Sequence, residues 1–433
     1  MSTRRSRIEM EREEEERRRQ RLRRRREEKR RRQKRKVILL RIVLLCVFAA
    51  IILSIVFGVR SCNRKIAAAK TLETQHTELM KSLKDISSDP MECARALAAR
   101  YDYDTALKVL TTTTDYQSNA EMVAAVQEYQ AAKQTLVSVD VMTVEQLTFH
   151  SLIVDENHAA AMAGNDATVA AANQNTMSVT AFNQYLQQLY DQGYVLVRMS
   201  DIATFTEDAD GSKKMKKGEI LLPEGKKPLV LSQEDVTYSA TLAGAGYGTR
   251  MILGEDGTPV TEYKLGDGSV ASGDYDVVPC LDTFIEQHPD FSYRGARGIL
   301  ALKGADGFLG YRTEEEKNSA KTLIEALKDE GWEFASNGYG DVSYASTFDQ
   351  FQADVDSWQE QTGKWLGDVN ILLYPYGVDI GSWTDYGSDD QKYTYLKEKG
   401  FCYFSNEDEQ NAHLIQIRDD YVRQIRKNAS TSS

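Results

Sequence analysis

One unit recurs from residue 180 onward in this chain: an amphipathic helix, a glycine, then a short apolar strand. Thr180 to Gln192 carries Phe182, Leu186, Leu189 and Tyr190 on one face and stops at Gly193, ahead of Tyr194 to Met199. Thr313 and Glu316 form a capping box, Ala320, Leu323, Ile324 and Leu327 form the next face, and Gly331 precedes the strand Trp332 to Ala335. A third helix, with Phe348, Phe351, Val355 and Trp358 inward, has Gly363 beyond its end and leads to Val369 to Leu373. A fourth, Asp389 to Lys399, stops at Gly400 before Phe401 to Phe404. Such alternation predicts an α/β fold with a parallel sheet, open or closed into a barrel.

In either architecture ligands collect beyond the carboxyl ends of the strands, so the strand exits are where chemistry is expected. Gln146 to Val154 reads as the first strand of this body. Lys227 to Gln233 reads as a buried strand that empties into two adjacent acids, Glu234 and Asp235. The later exits add Asn337 and Asp341, then Tyr376 and Asp379. The Gly- and Asp-rich passage 243–276 reads as hairpins inserted between the second and third barrel strands, either roofing a cleft or forming a surface arm.

Ahead of this body the charge is strongly asymmetric. Residues 1–36 hold 19 Lys/Arg against 8 Glu, a net of +11, and the whole chain is −11, so the remainder carries −22. Between the basic arm and the acidic body lies an apolar segment, 37–60, whose uninterrupted part, Ile42 to Val59, would span about 27 Å as a helix. It predicts one transmembrane helix, with the arm cytoplasmic and the C-terminal domain extracellular. The arm can adhere to anionic lipid at about 1 kcal/mol per basic residue, and without interleaved aromatics or a supporting fold no nucleic acid is expected as a partner. Residues 61–140, rich in Ala, Leu, Glu and Gln, predict a helical stalk or small bundle, and 428–433 a disordered tail. The five cysteines show no Cys-x-x-Cys spacing and indicate neither a zinc site nor a disulfide framework.

From about Val141 to Arg426 the chain resembles the polysaccharide deacetylase family, carbohydrate esterase family four, in its membrane-anchored Gram-positive form. The resemblance is carried by Leu231-Ser232-Gln233-Glu234-Asp235, by Asn337-Gly338-Tyr339-Gly340-Asp341, by Pro375-Tyr376-Gly377, and by the segments His288 to Gly295 and Leu309 to Arg312. It implies a deformed (β/α) barrel over 141–427, and a metal-dependent activity that removes acetyl groups from N-acetylated glycan by cleaving a non-peptide C–N bond. By the same resemblance Glu234 stands at the position of the catalytic base, where the family has Asp, and Asp235 at that of a metal ligand. Asn337 and Asp341 stand where the family has its two metal-binding His. Pro375, Tyr376 and Gly377 shape the substrate groove, with Trp383 a nearby sugar-stacking candidate. The family's late Leu-x-His acid has no counterpart, His413-Leu414-Ile415 having its letters in another order.

Without His the site is ill suited to zinc, whereas Asp235, Asn337 and Asp341 are oxygen ligands of the kind that Ca²⁺ or Mg²⁺ takes. Whether the chain is an enzyme is therefore left open by its sequence. The first reading is a membrane-anchored, deacetylase-like protein that binds cell-envelope glycan or peptidoglycan with reduced or lost catalysis. The alternatives are an active N-deacetylase using Asp and Asn ligands, and a structural partner in an envelope complex through the helical stalk.

Overall fold

The computed structural model describes residues 2–114, 116–208, 210–381, 385–408 and 415–429. The chain divides into two compact units, one ending at Glu78 and one beginning at Leu79. The first holds all but the last turn of the helix α1 (Ser2–Ser82), which is long and apolar enough within Glu13–Ser61 to cross a membrane. Its apolar side chains from Val37 to Val59 are exposed, as those of a segment without a protein core around it must be.

The second unit opens with three short helices, α2 (Pro90–Ala98), α3 (Tyr103–Thr112) and α4 (Ala120–Gln134), each started by an Asx cap: Asp89, Asp102 and Asn119. Cys93, Leu97, Val109, Leu110, Val126 and Tyr129 pack between them. The connection after α2 docks on the following domain, where the Arg294 amide donates to the Arg100 carbonyl at 2.8 Å.

That domain is a closed barrel of seven parallel strands. In chain order they are β1 (Glu145–Phe149), β2 (Lys227–Gln233), β3 (Ile299–Leu302), β4 (Glu333–Ser336), β5 (Ile371–Leu373), β6 (Tyr403–Glu407) and β7 (Val422–Asn428). Each pairs with the next from β2 to β7, β7 pairs with β1, and β1 with β2, which closes the circuit. The strand expected at Tyr194 to Met199 is Tyr194–Leu196, which pairs with the start of β2 but lies outside the closed circuit. The expected first strand is also shorter, because the chain leaves the sheet after Phe149.

Alternation along the strands sorts their residues into two layers. Leu229 and Leu231 of β2, Leu300 and Leu302 of β3 and Leu372 of β5 join the outer core under the helices. Val230, Ile299, Ala301, Ala335, Ile371, Leu373, Tyr403 and Val422 form a second cluster that fills the lumen. Above this apolar floor the lumen turns polar: Ser405 Oγ donates to Gln146 Oε1 at 2.9 Å, and Gln146 Nε2 to Ser232 Oγ at 3.3 Å. The same parity carried one step further puts Thr148, Glu234, Lys303, Asn337, Glu407 and Arg426 at the top of the lumen.

Among the helices between strands are α5 (Val179–Asp191), α6 (Val277–Gln287), α7 (Lys321–Glu330), α8 (Phe348–Trp358) and α9 (Gln391–Glu398). Gly193, Gly331 and Gly400 follow their helices with left-handed φ of 83°, 106° and 94°, as helix-stopping glycines do. Gly363 does not. The helical path continues past Trp358 through a π turn, Gln359–Gly363, to Leu366, and stops at Gly367, φ 80°. A Cβ on Gly363 would lie 3.0 Å from the Trp358 ring, so close packing is what requires glycine there. The passage 243–276 forms an antiparallel sheet of Arg250–Leu253, Pro259–Lys264 and Val270–Gly273. It braces the loop after β2: Met251 N donates to Leu309 O, and Leu309 N to Val236 O.

Candidate functional site

Glu234 follows β2 with its side chain in the lumen, only 5% exposed. Its carboxylate accepts four hydrogen bonds: from Thr148 Oγ1 at 2.9 Å, Arg426 Nε at 2.5 Å, Arg426 Nη2 at 2.8 Å and Asn337 Nδ2 at 3.3 Å. A carboxylate has about four lone-pair sites, so this one is saturated. Burial alone would raise its pKa, but the charge and hydrogen bonds of Arg426, with His150 and Thr148 adding, leave it below the usual carboxylate value. Arg426 is held on its other side too, donating to Ser405 O at 2.5 Å and Tyr374 O at 2.9 Å. A general base needs a lone pair within reach of the proton it abstracts, and Glu234 has neither the lone pair nor the access.

Asp235 is next in the chain and by alternation would face outward. A left-handed backbone, φ 53°, redirects it, a conformation costly for a residue other than glycine. The loop is fixed there by Thr237 N donating to Asp235 O at 2.7 Å. Asp235 Oδ2 lies 3.4 Å from Lys303 Nζ, and Asp341 Oδ1 lies 3.2 Å from the same nitrogen. Burial would lower the Lys303 pKa, but the two carboxylates outweigh it and hold the ammonium above its ordinary value. Lys303 in turn depresses Asp341, and the Tyr376 hydroxyl adds to that effect.

The loop that carries Asn337 and Asp341 is pinned by buried Asp354, which accepts from Tyr339 N at 2.9 Å and Gly340 N at 2.8 Å. Asn337 Nδ2 is shared between Glu234 and the Leu373 carbonyl, 3.1 Å away. Pro375 and Gly377 are buried, while Tyr376 between them stands 58% exposed at the rim with φ 57°. Lys303 Nζ lies 5.8 Å from the centre of its ring. Asp379 is directed elsewhere, to Arg423 Nη1 at 3.1 Å and the Tyr386 hydroxyl at 2.7 Å. Trp383 and His413 lie outside the described residues.

The residues named from the sequence thus separate. Asp235, Asp341 and Tyr376 share the mouth around Lys303, whereas Glu234 and Asn337 lie beneath it in a buried network. Lys303 and Arg426 were not among the residues singled out from the sequence. Lys303 had a legible signal, the apolar run Gly298-Ile299-Leu300-Ala301-Leu302 emptying into it as a further strand exit. Arg426 had none, because a lone Arg near a C-terminus looks like a surface residue until the strand closes the barrel.

A divalent ion, implied by the family resemblance, does not fit this donor set. Ca²⁺ and Mg²⁺ need several oxygens at about 2.0–2.6 Å from one point. Here the oxygens of Asp235 and Asp341 converge on an ammonium, and Asn337 is buried below them with its side-chain amide in the Glu234 network. Among the described residues no group of three or more His, Cys, Asp and Glu is placed to hold a metal together.

No protein-family model matches the chain, and no curated protein does. Among solved structures it is similar to a polysaccharide deacetylase from Bacillus cereus, with 12% identity over 67% of this chain and a TM-score of 0.33. It is similar also to a candidate polysaccharide deacetylase from Bacillus anthracis, with 12% identity over 67% of this chain and a TM-score of 0.31. The chain spans 65% of the length of each.

Proposed function

We propose that the protein is a membrane-anchored, extracytoplasmic glycan-binding member of the deacetylase-like barrels, holding N-acetylated envelope glycan or peptidoglycan at the mouth without hydrolysing it. The observation that carries this reading is the saturation of Glu234. The carboxylate at the base position is locked by Arg426, Thr148 and Asn337, while an aromatic ring and hydrogen-bonding groups remain open above it. The Tyr376 ring offers an apolar face to the C–H side of a sugar, and Asp235, Asp341 and Lys303 offer acceptors and a donor to hydroxyl and acetamido groups. In this reading α1 anchors the domain, with its basic arm on the anionic inner leaflet and the barrel outside.

The test is made on the full-length protein in detergent micelles. Binding to purified peptidoglycan and to N-acetylglucosamine oligomers is expected, and Tyr376→Ala should weaken it about five- to tenfold, the scale of one lost aromatic contact. No acetate should appear from either glycan under a panel of divalent ions. Failure to bind either glycan removes the central claim, and sustained acetate release lost in Asp235→Ala would make the protein an active deacetylase instead.

A further inference from the structure

Asp235 and Asp341 leave different strands and meet at a single positive centre, Lys303 Nζ, 3.4 and 3.2 Å away, with the Tyr376 ring beyond it. One cation held by carboxylates from separate loops is the arrangement of a metal site, but these are hydrogen-bond lengths. An ion drawn to these two oxygens would meet an ammonium already paired with both.

Lys303 is also firmly placed. The adjacent Gly304 and Ala305 amides donate to the Tyr339 carbonyl at 3.1 and 2.8 Å, which ties the end of β3 to the loop carrying Asp341. Gly304 has no room for a side chain, since a Cβ would come within 2.4 Å of the Tyr339 ring and 2.5 Å of Thr362 Oγ1. The lysine stem therefore leaves from a fixed point, and its side chain is only 20% exposed. An ammonium has three donors and no vacant coordination site, so it can hold two carboxylates together but cannot bind and acidify a water as a Lewis acid does.

We propose that Lys303 is a built-in cation, occupying the place in the mouth that a hard divalent ion would need and joining Asp235 to Asp341 without a metal. This deepens the glycan-binding reading by naming what organises the same mouth. It relies on that reading only for the location, and its test contains no glycan, so the two can fail separately.

Full-length protein, stripped with chelator, is titrated with Mn²⁺ and with Ca²⁺ by calorimetry and followed by thermal unfolding. The wild type is expected to show no binding heat and no change in Tm. Lys303→Ala, or Lys303→Gln should the alanine variant misfold, frees two carboxylates of like charge. It should bind at least one of the two ions, with a Tm rise of about 2–4 °C. Adding Asp235→Asn to the same variant should abolish the response. Ion binding by the wild type that Asp235→Asn removes would overturn the proposal. So would a Lys303 variant that folds and stays as indifferent to both ions as the wild type.

Discussion

Arg426 grips Glu234 across the top of the barrel lumen by two hydrogen bonds, Nε to Oε1 at 2.5 Å and Nη2 to Oε2 at 2.8 Å, with both side chains buried. Because the strand bearing Arg426 closes the sheet between β6 and β1, the pair links the last strand of the barrel to the second.

Removing one partner leaves an uncompensated charge in a nearly water-free site. Arg426→Met should cost about 3–5 kcal/mol of stability, and the double variant with Glu234→Leu should recover most of it. The folded Glu234 pKa lies below its unfolded value, so the pair's contribution is complete above about pH 4.3 and is lost as pH falls through the folded value. Chemical denaturation of the four proteins of the cycle checks this. A double variant as unstable as the single one would show that unpaired charge is not the cause.

Glu333, at the start of β4 and far from the mouth, has the opposite sign. Burial raises its pKa to about 7, against a smaller lowering effect of Arg198. The folded state therefore retains a proton that the unfolded chain has lost above about pH 4.3. Stability should fall as pH rises from about 4.5 to 7, by at most about 1.4 kcal/mol per pH unit from this group, and then level off. Glu333→Gln should flatten that slope, as read from Tm against pH. An unchanged slope would assign the dependence to other carboxyls.

Gly304→Ala should destabilise by about 1–3 kcal/mol, because the new methyl meets the Tyr339 ring and Thr362. Gly266→Ala is the control, since nothing lies within 4 Å of a Cβ there. Equal Tm values for the two variants would mean that the Lys303 loop yields freely and does not fix the lysine.

The sequence by itself determined the alternation of helix and strand in the barrel body. Helical faces such as Phe182-Leu186-Leu189 and Leu323-Ile324-Leu327, stopped by Gly193 and Gly331, are local patterns, and an alternating helix–strand order leaves few parallel folds to choose from. It also placed Asp235, Asp341 and Tyr376 at strand exits, since an exit is defined by the residue at which a strand ends. What only tertiary structure decided is which of these residues face one another. Whether Glu234 is a poised base or a buried anion depends on Arg426, 192 positions away and brought to it by barrel closure. Whether Asp235 and Asp341 await a metal depends on Lys303, 68 residues from the first and 38 from the second. Charge pairing acts through a few ångströms of space, and a linear pattern carries no record of that distance until the seventh strand has closed the sheet.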